Sequence, residues 1–160
     1  MRGHDAGLEA HHPWTTYAWA REEARVLGDR RIGSEHLLLG LLHDEEVASV
    51  LGVSLEDGRR ALEALDRDAL ATVGIHVARD VPRLAVRDVP ARPSVASLLR
   101  RRMPLTPSAA TSLREAGRPM RKGESITPRD VLARLAQRHD PDPCAALFRA
   151  LGVDASAIAA

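Results

Sequence analysis

Ile32-Gly-Ser-Glu-His-Leu-Leu-Leu-Gly-Leu-Leu42 is the stretch on which the fold turns. Ser34 reads as a helix cap, with Glu35 in the positive first turn behind it. Leu37, Leu38, Leu39, Leu41 and Leu42 leave this helix almost no polar face, and such a helix is buried. Gly40 within it costs about 1 kcal/mol against alanine. The usual compensation is the close approach of a second helix.

Upstream, Trp14, Tyr17, Ala18, Ala24 and Leu27 recur at helical spacing and Gly28 ends the run. Residues 1–12, with His4, His11 and His12 among small and acidic residues, read as a loose leader. Downstream, a short helix is expected over Glu45–Leu51, stopped by Gly52. Ser54 and Asp57 form a capping box for the next helix, whose Leu55, Leu62 and Leu65 face inward. Another short helix is expected from about Asp68 to Val73, before Gly74. Pro82, Pro90 and Pro93 break any helix in the next stretch, read as a connector over 80–104. Within it, Leu84–Val89 has an extended pattern and Ser94–Met103 a helical one carrying Arg100, Arg101 and Arg102. Three caps followed by a first-turn proline come next: Thr106-Pro107, Thr127-Pro128 with Asp130, and Asp142-Pro143. The helices they open are expected to stop before Pro119 and at Gly152.

The composition bounds the function. The chain has 160 residues, 44% hydrophobic and 28% charged, as in ordinary globular proteins. A single cysteine, Cys144, excludes a disulfide framework and a multi-cysteine zinc site. No apolar run reaches the roughly 18 residues of a membrane span, and no signal-like apolar core opens the chain. The expected location is the cytoplasm. The basic residues are 22 Arg and 1 Lys, so an arginine by itself is no sign of function, and the absence of Asn removes any scheme that needs one. Net charge is +1, yet residues 1–79 carry −5 and residues 80–160 carry +6.

The chain repeats itself. Ile32–Leu42 aligns with Ile126-Thr-Pro-Arg-Asp-Val-Leu-Ala-Arg-Leu-Ala136. Arg21-Glu-Glu-Ala-Arg25 aligns with Arg114-Glu-Ala-Gly-Arg118, and Leu51-Gly-Val53 with Leu151-Gly-Val153. Each copy reads as helix, loop, capped buried helix, short helix and glycine stop. A unit this small cannot bury its own apolar face, whereas two copies packed face to face can. Val73-Gly-Ile75 is a partial third echo of the stop.

Glu23-Ala24 through Leu27-Gly28, followed by Ile32–Leu42, resembles the Clp repeat. This is the unit of the N-terminal domain of ClpA/ClpC/ClpB-type AAA+ unfoldases, and the Thr106-Pro107 opening is similar to the same family. The second copy departs from the pattern: Thr127-Pro128-Arg129-Asp130 stands where the first has Gly-Ser-Glu-His, Pro119 interrupts, and the connector is longer. The resemblance implies an all-α fold of two four-helix-type repeats packed with pseudo-two-fold symmetry. The first repeat covers 13–79 with an extra short helix, and the second, degenerate repeat covers 105–160.

The resemblance implies recognition of other proteins. Family N-domains dock adaptors and receive substrates, some bind phosphorylated arginine through the Thr and Glu of a Gly-Thr-Glu-His motif, and some bind cyclic-peptide antibiotics. No phosphate-cradling Gly-x4-Gly-Lys-Ser/Thr loop is present, so the expectation is an N-domain standing without its motor. The expected function is non-enzymatic capture of a protein segment or peptide, as adaptor, competitor or decoy, with no cofactor and no metal. The alternative is a nucleic-acid-binding regulator using the basic C-terminal half, although no aromatics interleave with Arg100–Arg102.

Ser34 and Glu35 are the leading binding candidates: a helix N-terminus suits a phosphoryl group and a carboxylate pairs with a guanidinium. Thr127 and Arg129 are their counterparts, with the charge reversed at Arg129. Trp14 and Tyr17 share a face and are candidate aromatic anchors, with Trp19 slightly off it. His36 reads as a hydrogen-bonded core histidine and His43 as a partner of its helix's C-terminal dipole. Cys144 lies in a helix's first turn, a place that can lower a thiol pKa. His139 and Asp140 stand nearby, but two prolines and a turn intervene, and a small buried cysteine is the simpler reading.

Overall fold

The computed structural model describes residues 13–77, 102–118 and 126–159, without the side chains of Pro13 and Trp14. The expected leader, the extended Leu84–Val89, Arg100, Arg101 and the rest of 94–101 lie outside the described residues, while Arg102 and Met103, the end of the helix expected from Ser94, are described and not helical.

The described residues form eight helices: α1 Pro13–Leu27, α2 Ser34–Leu41, α3 Glu45–Leu51, α4 Leu55–Thr72, α5 Pro107–Gly117, α6 Pro128–Ala136, α7 Pro143–Ala150 and α8 Ala155–Ala159. Their only strand-like pairing, among the described residues, is a single parallel bridge between Ile32 and Leu105. The fold is all-α, and no helix among the described residues is long and apolar enough to cross a membrane.

The leucine-rich rod α2 is the centre of the core. Its four leucines and the Leu42 that follows it are buried, and it touches α1, α4, α5, α6 and α7. Burying each such side chain stabilises the fold by about 1.5–3 kcal/mol. Gly40 makes the closest of these contacts possible. A Cβ there would stand 2.8 Å from both the Ala20 nitrogen and the Thr16 oxygen of α1. The second half supplies the rest of the core: Val131, Leu132 and Leu135 of α6, with Cys144, Leu147 and Phe148 of α7.

The halves share their local signals. Gly52 and Gly152 both adopt the left-handed conformation, at φ 66° and 67°. The valine after each closes the helix end: Val53 N–H donates to Ala48 O at 3.2 Å, and Val153 N–H to Phe148 O at 3.0 Å. Thr106, Thr127 and Asp142 cap α5, α6 and α7 as expected, each ahead of a first-turn proline.

Two elements differ from expectation: the short α8 after Gly152, where no helix is expected, and α4. The helix from Leu55 does not end before Asp68 but runs unbroken to Thr72. The charged residues Asp66-Arg67-Asp68 resemble a new start, yet no glycine or proline interrupts the backbone there.

Between the halves, the chain ahead of α5 pairs with the chain ahead of α2. Ile32 N–H donates to Pro104 O at 2.9 Å, and Thr106 N–H donates to Ile32 O at 2.8 Å. The first turns of α2 and α5 are thereby held side by side.

Candidate functional site

The first turn of α2 carries two of the sequence candidates, and its cap is not the one expected. Gly33, not Ser34, is the N-cap residue, with extended φ −90° and ψ 175°. Ser34 is the first helical residue. The reaching-back role of a capping box falls to His36, whose Nδ1 accepts from Gly33 N–H at 2.9 Å. A backbone N–H can only donate, so this nitrogen carries the lone pair and the neutral ring holds its proton on Nε2.

Ser34 is buried, and its hydroxyl points away from the helix end. It donates to Asp142 Oδ1 at 2.5 Å. Asp142 also accepts the Ser108 hydroxyl of α5 through Oδ2, and its Oδ1 caps α7 by accepting Cys144 N–H at 2.9 Å. One carboxylate thus gathers the first turns of α2, α5 and α7, where helix dipoles favour negative charge.

Glu35 is the more accessible of the pair, with 17% of its side chain exposed. Its carboxylate folds back over Gly33, into the space that a Cβ there would need. Oε1 stands 3.3 Å from His36 Nδ1, and Oε2 lies 3.5 Å from the Ser34 oxygen, whose one proton goes to Asp142. On the other side of His36, Asp29 Oδ2 is 3.1 Å from Nε2. That distance is short, but Nε2 makes no aligned hydrogen bond and is buried.

The other two candidates sit elsewhere. Thr127 is committed to the α6 capping box: its hydroxyl accepts from Asp130 N–H at 3.3 Å and donates to Asp130 Oδ2 at 2.7 Å. Arg129 pairs with Glu46 of α3 at 2.5 Å, on the surface where such pairs contribute little. Ser34 therefore meets the cap of α7, whereas Arg129 reaches α3 and Thr127 stays within its own capping box. Beside Pro128, a cleft of about 40 Å³ is lined by Thr15, Thr16, Trp19, His43 and Asp44.

Of the aromatic candidates, Tyr17 is engaged. The Tyr17 hydroxyl donates to Met103 O at 2.8 Å and accepts from Met103 N–H at 3.2 Å, tying α1 to the chain entering α5. The Trp14 side chain lies outside the described residues. Trp19 stacks on His43, with ring centroids 3.9 Å apart and planes 8° from parallel.

His43, expected in a dipole or capping role, is bonded to a buried carboxylate. Its Nε2 lies 2.7 Å from Glu23 Oε1, and Arg59 binds the same carboxylate through two nitrogens at 3.0 and 2.7 Å. Burial pushes the Glu23 carboxyl up, but the bonds from His43 and Arg59 outweigh it and hold it below its ordinary value. This buried junction of α1, α2 and α4 has no local sequence signal, because its members are 20 and 36 residues apart.

Cys144 contradicts the activation that its first-turn position suggests. Burial pushes its thiol well above the ordinary value, and the Asp142 and Glu35 carboxylates push it further. Asp140 is turned to Arg149, with contacts of 2.6 and 3.0 Å. No proton acceptor is arranged for a thiol nucleophile among these groups.

No family model matches the chain.

Proposed function

We propose that this chain is a non-catalytic binding module of the Clp-repeat kind, its two repeats related by an approximate two-fold rotation. It captures a protein segment or peptide of the sort the unfoldase N-domain receives. Glu35 carries this reading. Its side chain keeps 17% of its surface exposed in the first turn of a buried helix, and among the described residues no arginine pairs with it. A guanidinium from outside can take it once the carboxylate swings out from over Gly33, and the adjoining helix N-terminus suits a phosphoryl group on that guanidinium.

Two further observations support the reading. The buried, raised thiol of Cys144 favours binding over nucleophilic catalysis. The reversed charge at Arg129, already paired with Glu46, favours one guanidinium site over two. On this reading the protein acts as adaptor, competitor or decoy for the unfoldase, including capture of cyclic peptides that target such N-domains.

Fluorescence anisotropy with an arginine-phosphorylated peptide and with a labelled DNA duplex, at about 50 and 200 mM salt, separates this from the nucleic-acid alternative. Peptide binding that outlasts the added salt supports the module. Duplex binding that falls steeply with salt, without peptide binding, replaces it with a nucleic-acid regulator.

A further inference from the structure

We propose that His36 is a proton-operated latch on Glu35, so that acidification closes the site that Glu35 offers. This regulation rests on the binding role given to Glu35 above, but the latch itself is a property of the chain without ligand.

The latch follows from donors and acceptors. In the neutral ring Nδ1 holds a lone pair, because Gly33 N–H donates to it at 2.9 Å. A second proton, taken from solvent, can go only to that nitrogen. The bond from Gly33 is then impossible, since two N–H groups would point at each other. The nearest acceptor for the new Nδ1–H is Glu35 Oε1, already 3.3 Å away. The charge-assisted bond that forms is stronger than the neutral one it replaces. It fixes the carboxylate inward, over Gly33, where it no longer reaches a guanidinium.

The other nitrogen works in the same direction. Nε2–H is enclosed and without an aligned partner, and Asp29 Oδ2 lies 3.1 Å away. Asp29 is exposed on its loop and can turn to meet a charged ring, for which an uncompensated buried charge would otherwise be costly. Among the described residues, the other charged or titratable groups near this turn include Asp142, the α7 cap, Cys144 of α7, Arg138 after α6, and the exposed Arg30 and Arg31 of the loop. Asp142 is already bonded to Ser34 and Ser108, so Asp29 and Glu35 are the carboxylates left to answer the proton. Linkage makes the effect reciprocal: a guanidinium held by Glu35 disfavours protonation of His36.

The test is nitrogen-detected NMR of the imidazole in the whole chain without ligand, between about pH 5 and 8. The latch predicts the Nε2–H tautomer at the alkaline end. It predicts that the Gly33 amide and the Glu35 carboxyl carbon shift with the same midpoint as the His36 ring. In Glu35→Gln, which keeps the side chain's shape, that midpoint moves to lower pH. The Nδ1–H tautomer, a Gly33 amide indifferent to the ring, or an unmoved midpoint in Glu35→Gln overturns the latch. A second arm measures affinity for an arginine-phosphorylated peptide over the same range. Affinity that falls as His36 protonates supports the closure of the site, and affinity independent of pH overturns it. No binding at any pH removes the peptide-binding reading, while the ligand-free titration still decides the latch.

Discussion

Asp142 accepts the hydroxyl of Ser34 across 108 positions of sequence, at 2.5 Å, in the same carboxylate that caps α7 and receives Ser108. The first half of the chain is pinned to the second at the start of its central helix. Removing the carboxylate costs the α7 cap, about 1 kcal/mol, and leaves hydroxyls that lose a charged acceptor, about 1–3 kcal/mol more. Asp142→Ala is expected to lower stability by about 2–4 kcal/mol, and Ser108→Ala by less, because Asp142 keeps its other partners. Denaturant midpoints check this, and an unchanged midpoint for Asp142→Ala would mean that the junction adds nothing.

Gly40 tests the crossing of α1 and α2. Alanine gains about 1 kcal/mol of helix propensity. Its Cβ, however, would sit 2.8 Å from two backbone atoms of α1, which cannot swing aside as a side-chain tip can. Gly40→Ala is therefore expected to cost about 1–3 kcal/mol net through overpacking. A stabilised variant would show that the helices do not approach as described.

Acid stability should depend on Glu23. Its folded carboxyl titrates below the ordinary value, so the unfolded chain takes up the proton first as pH falls. The stabilisation is fully present above the ordinary carboxyl range and is lost as pH drops through the folded value. Glu23→Gln is expected to be less stable near neutrality, with Arg59 left unpaired, and to lose less stability between about pH 5 and 3. Parallel pH–stability curves for the two proteins would count against the buried triad.

Cys144 is expected to resist alkylation in the folded protein and to react fully once denaturant exposes it. Iodoacetamide labelling read by mass spectrometry distinguishes the two states. Rapid labelling under native conditions would contradict the buried, raised thiol.

Much of this architecture could be read from the chain. The leucines of α2, the proline-preceded caps of α5, α6 and α7, and the Gly52 and Gly152 stops are local signals, each set by neighbours within one helical turn. The close approach at Gly40 was legible for the same reason: a glycine in an apolar rod needs a steric cause. What sequence could not supply was pairing at a distance. Ser34 has the chemistry of a cap, yet its hydroxyl is drawn to Asp142, and His36 fills the reaching-back role at Gly33. Glu23 reads as one charge among several in α1, and only the fold brings His43 and Arg59 to it. The break expected before Asp68 fails because charged residues suggest a cap without imposing one.

The claim on which the account rests is that Glu35 receives a guanidinium from a partner chain. Isothermal titration calorimetry of the wild-type protein and Glu35→Ala against one arginine-phosphorylated peptide tests it most directly. The account predicts one site in the wild type and a loss of about tenfold or more in affinity in the variant, on the order of 1.4 kcal/mol. Equal affinity in the two proteins, or no binding by either, would contradict it.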